Sequence, residues 1–566
     1  MFVLIQGSSD KGICHQAHSS YPRLSHGLPR LRVRGVKGTR EPMTVLHGKK
    51  DKNAVPKVNR KIHKTKSSKE PRGGKVLAVE EETAQMDLFA ITAEVKSETM
   101  KAKGHCEQSK SSQGPKVPKV ANMFIKHGFT DMEHVCTKLT LALEKVASNK
   151  GAPGPNRQTI AEVKEAWESI YPKLIQLLLE GKYKPGEIRR VWIPKAGGGE
   201  RGLGIPDVID RVVQEAVRQV LEPRYEPTFH ENSHGFRPNR GCHTAIKKAS
   251  EYLKEGFSYV VDIDLKDFFN RVNHQRLLAT LQRETKDPRM LKLIERMLVA
   301  KVVMPDGVKV ESEQGVPQGG PLSPLLSNIV LHELDEELSA RGHRFVRYAD
   351  DCNIYVKSER AGIRVMTSVS QFIEKRLRLE VNKDKSAVAK PHERHFLGFS
   401  LNRNDLGEVE VNLSQRSKLR LRERVKDLTP RNWGETMSVA IHKVNVYLKG
   451  WMGFFGICTE VVEWSLKTTD AHIRRRLRAM KLKQWKRRRT MLRRLVQMGA
   501  NKQSAGRQLY DDRKGIWKLS HTHVVNRTLK NAYWREEGLC STFELWKLNV
   551  LKRAGTVSEQ TELCLG

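Results

Sequence analysis

The chain has 566 residues, room for several domains, and carries 102 Lys and Arg against 64 Asp and Glu, a formal charge of +38. About 2–8 net charges keep a small domain soluble, so this excess points to a polyanionic partner, nucleic acid ahead of an anionic membrane. No run of about 18 apolar residues is present to span a bilayer, Met1–Ile5 is too short for a signal segment, and the eight scattered cysteines form no C-x-x-C pair, which argues against a zinc ribbon or disulfide framework and fits a reducing, cytoplasmic setting.

Residues 1–120 are rich in Lys, Gly, Ser and Pro, with sparse, aperiodic apolar positions. They read as a basic, largely disordered arm with a short helix near Met86–Val95, and Met43 is a second candidate start. From about Met123 the pattern turns globular. Ile209, Val212, Val213, Ala216, Val217 and Val220 recur at helical spacing. Lys195 to Arg201 is a Gly-rich turn between Val191-Trp192-Ile193 and Leu203-Gly204-Ile205. Tyr259–Ile263 is short and β-branched, a buried strand. Gln314–Ser323 is a Gly/Pro loop leading into a helix over Pro324–Ser339. Arg344–Arg347 and Asn353–Val356 form a hairpin with Ala349-Asp350-Asp351 at its turn. Gln371–Leu379 is amphipathic, and Phe396-Leu397-Gly398-Phe399 reads as a short strand. Strand, helix, hairpin, helix, strand approaches the order of a ferredoxin-like sheet. Beyond about 410 the strands stop; Arg416–Leu428 and Glu435–Trp451 suit helices. Residues 471–500 hold twelve Lys or Arg and no acid.

The paired Asp350-Asp351 and the strand-end pair Asp262/Asp264 suggest one chemistry. Extending a 3′-hydroxyl by a nucleotide is an in-line phosphoryl transfer, catalysed by positioning and charge neutralisation. Two Mg²⁺ ions roughly 3.5–4 Å apart do this without a protein nucleophile, and Mg²⁺ takes a few hard carboxylates plus water. Adjacent carboxylates repel, and a bound dication reverses that penalty. Each pair alone also reads as solvated surface or as a cap.

Several segments together resemble group II intron-encoded reverse transcriptases, in order and spacing, over about residues 125–550. Asn149–Gly154 resembles the N-terminal extension motif, and Ile193-Pro194-Lys195 through Gly204-Ile205-Pro206 the fingers hairpin. Gly235-Phe236-Arg237-Pro238 with Arg240-Gly241 resembles the next block, and Asp262–Phe269 the strand of the first metal Asp. Gln314–Pro324, Tyr348–Asp351, Asn382–Lys385 and Phe396–Phe399 complete the series. The resemblance implies an α+β right-hand polymerase, with fingers and a ferredoxin-like palm sheet, followed by an α-helical thumb/maturase region. The expected divisions are a basic arm (1–120), N-terminal extension and fingers (121–245), palm (246–402, with a reverse transcriptase domain over about 175–402), thumb/maturase (403–500) and a basic C-terminal region (501–566).

Roles follow by the same resemblance. Asp264, rather than Asp262, joins Asp350 and Asp351 as metal ligand and catalytic carboxylate for two Mg²⁺ ions. Phe269 lies beneath the sugar and favours dNTPs. Gln318 contacts the incoming nucleotide. Lys195 and Arg201 hold the triphosphate, for which the guanidinium fork is well shaped, and Lys385 lies near nucleotide or primer. Phe396, Leu397, Gly398 and Phe399 are the primer grip. Leu448–Trp451 with Phe454-Phe455 resembles the maturase region. The basic run, represented by Arg474, Arg475, Arg476, Arg478, Lys483, Lys486, Arg487 and Arg488, is expected to face RNA phosphates. No paired Cys and His set follows, so an appended HNH endonuclease is not expected. The implied partners are group II intron RNA and a DNA primer or target, in a bacterial nucleoid-associated ribonucleoprotein. Two departures stand out: Pro155-Asn156-Arg157 replaces the usual Val-Asp-Gly, and Asn270 stands where Asp is common. The competing readings are an RNA-binding maturase with little polymerase activity and a domesticated or defence reverse transcriptase.

Overall fold

The computed structural model describes residues 130–194, 199–430 and 434–555. The basic arm with its expected helix at 86–95, and Lys195, lie outside the described residues. Helix α1 (Asp131–Ser148) starts at a capping box in which Thr130 and Glu133 satisfy each other's backbone N–H. It and α2 (Trp167–Leu179) border a hairpin of β1 (Ile188–Pro194) and β2 (Glu200–Ile205), in register from Arg189↔Ile205 to Pro194↔Glu200. The periodic apolar residues after it form α3 (Val208–Tyr225), where Val212, Val213, Ala216 and Val217 are wholly buried. α3 is enclosed all round, so its polar residues need partners. Asp210 accepts from the Tyr183 hydroxyl (2.6 Å) and Gly186 N–H (3.0 Å), and Glu215 pairs with Arg218.

After α4 (Cys242–Lys254) comes β3 (Tyr259–Ile263), as expected. Helices α5 (His274–Glu284) and α6 (Pro288–Leu298) follow, then the two-residue strands β4 (Val302–Val303) and β5 (Lys309–Val310). These two extend the β1–β2 hairpin into a four-stranded sheet, β2-β1-β4-β5; they are too short to leave a sequence pattern. Helix α7 (Ser323–Ala340) leads into β6 (Arg344–Tyr348) and β7 (Asp351–Val356). The turn between them is therefore Ala349-Asp350 alone, and Asp351 is the first residue of a strand. Helix α8 (Glu359–Phe372) runs on through a π-helical turn, Ile373–Leu377. The amphipathic stretch read at 371–379 is the end of this longer helix, which Ser358 caps.

With β8 (Ala387–Ala389), the second sheet has the order β6-β7-β3-β8, every neighbour antiparallel. Its strands thus lie second, third, first, fourth, the ferredoxin-like arrangement. A separate hairpin, β9 (Phe399–Arg403) and β10 (Val409–Leu413), carries strand structure a few residues past 410. The rest is helical: α9 (Gln415–Leu428), α10 (Met437–Phe455), α11 (Glu463–Gln484), α12 (Arg488–Gln497), four short helices, and α13 (Thr542–Arg553).

One core lies between the antiparallel sheet and helices α1–α3 and α5–α8, and a second lies within the helical half. A third joins them: Ala245 and Tyr252 of α4, Val260 and Val346 of the antiparallel sheet, Phe399 and Val411, and Met452, Leu466 and Trp546 of the helices. Among the described residues, no helix is long and apolar enough to cross a membrane.

Candidate active site

Asp262 and Asp264 alternate with buried Val261 and Ile263, so both leave the same face of β3. β3 pairs with β7 through Asp262↔Asn353 and Ile263↔Cys352; one step further, Asp264 stands beside Asp351. The hairpin turn then sets Asp350 next to them. The turn is tight: Tyr348 pairs with Asp351, and Ala349 has φ +57°.

The carboxylates feel one another. Asp351 lies in a concavity, ringed by protein yet reached by solvent. Its pKa is pushed up to about 7, first by desolvation and then by Asp350, Asp262 and Asp264. Asp350 is also raised, mainly by desolvation and further by Asp264, against the opposing charges of Arg201 and Lys385. Asp262 is engaged elsewhere, taking two bonds on Oδ2 from Arg394 (2.9 and 2.6 Å). That ion pair makes it a strut between β3 and the segment after β8. Lys385 Nζ lies 3.5 Å from Asp264 Oδ1, and Asp264 N–H donates to Ser386 Oγ.

Among the described residues, no three His, Cys, Asp or Glu side chains are gathered into a ready-made metal centre. Mutual repulsion, and Lys385 at Asp264, account for the open spacing. The donor set still fits a divalent ion: hard oxygens from Asp264 and Asp350, and a raised pKa at Asp350 that a dication would pull down.

What sequence reasoning missed is the support beneath the turn. Arg347 is fully buried, and all five of its N–H donors are used. They reach Asp335 Oδ1 and Oδ2 (2.7 and 2.5 Å), Asn328 Oδ1 (3.0 Å), Ser233 Oγ (2.7 Å) and the carbonyl of Ala349 (3.0 Å), immediately before Asp350. Gly235 lies against the same turn; a Cβ there would stand 2.4 Å from Ala349 N, so only glycine fits. The one available signal was an Arg at a strand position whose neighbours are apolar.

The Gln314–Ser323 loop is fixed from two sides. Gly315 N–H donates to Val272 O and Val316 N–H to Phe269 O, while Gly204 N–H of β2 donates to Gln318 O (2.6 Å). This brings Phe269, half-buried on the first core, and Gln318 near Arg201, whose charge reaches Asp350. Arg201 and Lys385 thus both act on Asp350, and the loop that bonds Phe269 is held to the Arg201 hairpin through Gln318 O.

The segment read as a strand at Phe396–Phe399 is a tight turn. Phe396 and Phe399 exchange both backbone bonds (3.0 and 2.9 Å), and Leu397 and Gly398 both have positive φ. That is the geometry of a type I′ hairpin turn. Phe396 and Phe399 point into the third core, Phe399 against Phe454 and Phe455, so neither ring is free to meet a primer.

The basic helices also require correction. Arg478 is buried and bonded to Asn526 Oδ1 and Ser520 O, and its pKa falls to about 10 through desolvation. Arg476 donates to Thr429 Oγ1 and O (2.5 and 2.7 Å), and Arg475 stacks on Trp517 (4.1 Å). Arg488 reaches Lys514 O, and Arg474 is half-buried. Arg475, Arg476, Arg478 and Arg488 thus fasten the helical region internally. Lys483, Lys486 and Arg487 are exposed.

A sheet face bearing acids, a hairpin carrying Arg201 and a helical region rich in Lys and Arg suit a polymerase-type fold, and comparison with known proteins agrees. Residues 193–401 match the family described as reverse transcriptase (RNA-dependent DNA polymerase), and residues 418–496 match the group II intron, maturase-specific domain. Protein YkfC of Escherichia coli (strain K12) is 33% identical over 317 residues, 48% of this chain and 81% of YkfC. Group II intron-encoded protein LtrA of Lactococcus lactis subsp. cremoris is 29% identical over 337 residues, 48% of this chain and 56% of LtrA. The chain thus spans about half the length of LtrA. A solved partial Cas6-RT-Cas1–Cas2 complex aligns over 44% of this chain and 43% of that chain, at 23% identity and a TM-score of 0.29, too low to carry an argument. The chain belongs to the group II intron reverse transcriptase/maturase family.

Proposed function

We propose that the chain is an RNA-directed DNA polymerase that also binds group II intron RNA. The observation that carries this reading is the convergence of Asp264 and Asp350, from two separated segments, within each other's field. In this reading Asp264 and Asp350 hold two Mg²⁺ ions with Asp351 as the weaker partner, and Asp262 keeps its structural bond to Arg394. When bound, the ions would neutralise the attacking and leaving oxygens of an in-line transfer. Arg201, with Lys195, orients the dNTP triphosphate. Phe269 packs under the sugar and leaves no room for a 2′-hydroxyl. Gln318, fixed through its carbonyl by Gly204, bounds the nucleotide's other side. Lys385, now at Asp264, would be released to phosphate once a cation takes that carboxylate. Residues 121–245 act as extension and fingers, 246–402 as palm, and the helices after 403 as thumb and maturase. Lys483, Lys486 and Arg487 meet RNA backbone, and DNA serves as primer or target in a bacterial cytoplasm.

The test is extension of a DNA primer on an RNA template with Mg²⁺. Asp350→Asn is expected to abolish cDNA synthesis while RNA binding persists. Loss of both activities, or of neither, would refute this division of labour, and a parent chain that binds RNA yet extends no primer would favour the RNA-binding maturase reading.

A further inference from the structure

The start of α4 lies between the β6–β7 hairpin and the helical half, beside the third core that also joins them. Cys242 lies beside the Tyr348 side chain, the residue just before the Ala349-Asp350 turn. His243, the next residue, places Nε2 2.7 Å from the carbonyl of Phe454, with the two rings 5.4 Å apart. Thr244 Oγ1 takes Gly241 N–H and lies 2.9 Å from His234 Nδ1. His234 N–H in turn donates to Arg347 O on β6. Three consecutive side chains therefore face three different things: the hairpin, the helical half and the edge of the sheet.

The Phe454 carbonyl lies in the last turn of α10, where carbonyls have no partner within the helix. Its neighbours are served locally, Met452 O by Gly456 N–H and Phe455 O by Cys458 N–H. His243 is the group from outside the helix that satisfies Phe454 O. The same end of α10 holds the 396–399 turn: Phe455 lies against Gly398, and Gly398 O accepts from Ser417 Oγ (2.7 Å) and Ser414 N–H (3.1 Å). From Asp350 the path runs through Tyr348, Cys242–His243 and Phe454-Phe455 to the turn, all by direct contact.

We propose that His243 is a positioning residue that sets the α10 end, and with it the 396–399 turn, against the catalytic hairpin. A primer end resting at the turn is thereby held in line with Asp350 over successive additions. The role rests on the polymerase reading above. It acts on retention of the primer between additions and leaves the bond-forming step to the carboxylates. Coupling of this kind is carried by packed and hydrogen-bonded neighbours, and single changes along it shift it modestly.

The experiment compares the full chain with His243→Ala and with His243→Gln, whose amide can donate from the position of Nε2. Two readouts are taken: primer extension, scored for first-nucleotide addition and product length, and amide hydrogen exchange at 348–352 and 396–400 against α1 as internal reference. For His243→Ala, mean product length should fall about tenfold while first-nucleotide addition stays within about twofold, exchange at both turns should rise, and His243→Gln should restore both. Unchanged product length, an equal loss at the first and later additions, or a Gln variant that behaves like Ala would overturn the proposal. If the parent chain extends no primer, the polymerase reading fails and exchange alone decides. Faster exchange at both turns in His243→Ala would support the link, and exchange confined to α10 would refute it.

Discussion

The antiparallel sheet and helix α11 both concentrate charge of one sign, and they dispose of it in opposite ways. On the sheet, Asp264, Asp350 and Asp351 stay close and incompletely paired, and the repulsion shows in the raised pKa of Asp351. On α11, Arg475, Arg476 and Arg478 are dispersed into carbonyls, an amide and an indole of neighbouring helices. On the sheet the like charges are left to repel one another; on the helix they are the way that helix is fastened. A long guanidinium is well suited to fastening, since it reaches several carbonyls at once.

The sharpest way to break this contrast is at Arg347, a cation that behaves as the fastener while lying under the acids. Arg347→Met leaves Asp335 charged and buried, and breaking such a pair costs about 3–5 kcal/mol. A drop of that size in urea-unfolding free energy, with loss of primer extension, is expected; wild-type stability would show that the pair is dispensable. Gly235→Ala drives a Cβ into the backbone of the turn, so it should lower stability and move the turn, and a displacement near 1 Å costs about a hundredfold in rate. Single-turnover extension measures it, and a rate within threefold of wild type would mean that the turn yields freely.

The helical side is sharpened by salt. Changing Lys483, Lys486 and Arg487 to Ala should leave the melting temperature nearly unchanged and lower the slope of log affinity against log salt by about 0.7 per true contact on single-stranded RNA. Arg478→Ala should do the reverse, lowering the melting temperature with little change in slope. The smallest effect is at Asp210, whose pKa is raised to about 7 chiefly by burial. A carboxyl that holds its proton longer when folded makes the fold less stable as pH climbs from about 4 through about 7. Asp210→Asn removes that contribution, so its melting temperature should improve relative to wild type between pH 5 and pH 8. A constant difference across that range would show that Asp210 ionises normally.

The legibility of these two regions differed for a physical reason. Tyr259–Ile263 and the hairpin around Asp350 announce themselves locally, through β-branched residues, alternation and adjacent acids. Three of the sheet's four strands were readable from such short signals; the fourth, β8 at Ala387–Ala389, was not, and Phe396–Phe399 reads as a strand in its place. In α11 the arginines look alike in sequence, because what covers Arg478 comes from Ser520 and Asn526, 42 and 48 residues on. Nothing within the run says which guanidinium will be enclosed. Phe396–Phe399 misled in another way: its apolar residues suit a strand, but Leu397 at positive φ lacks the Asn or Asp that usually signals such a turn. β4 and β5, two residues each, fell below any periodic pattern.

Helix α13 has a bearing on how the chain acquires its shape. Trp546 donates to Cys458 O across 88 residues, and Thr542 donates to Asp470 across 72. Closures that span so much chain are entropically slow to form. The joint core beneath the 396–399 turn should therefore be among the last parts to consolidate during refolding, and should lag behind local helix formation in a stopped-flow trace that follows the burial of Trp546.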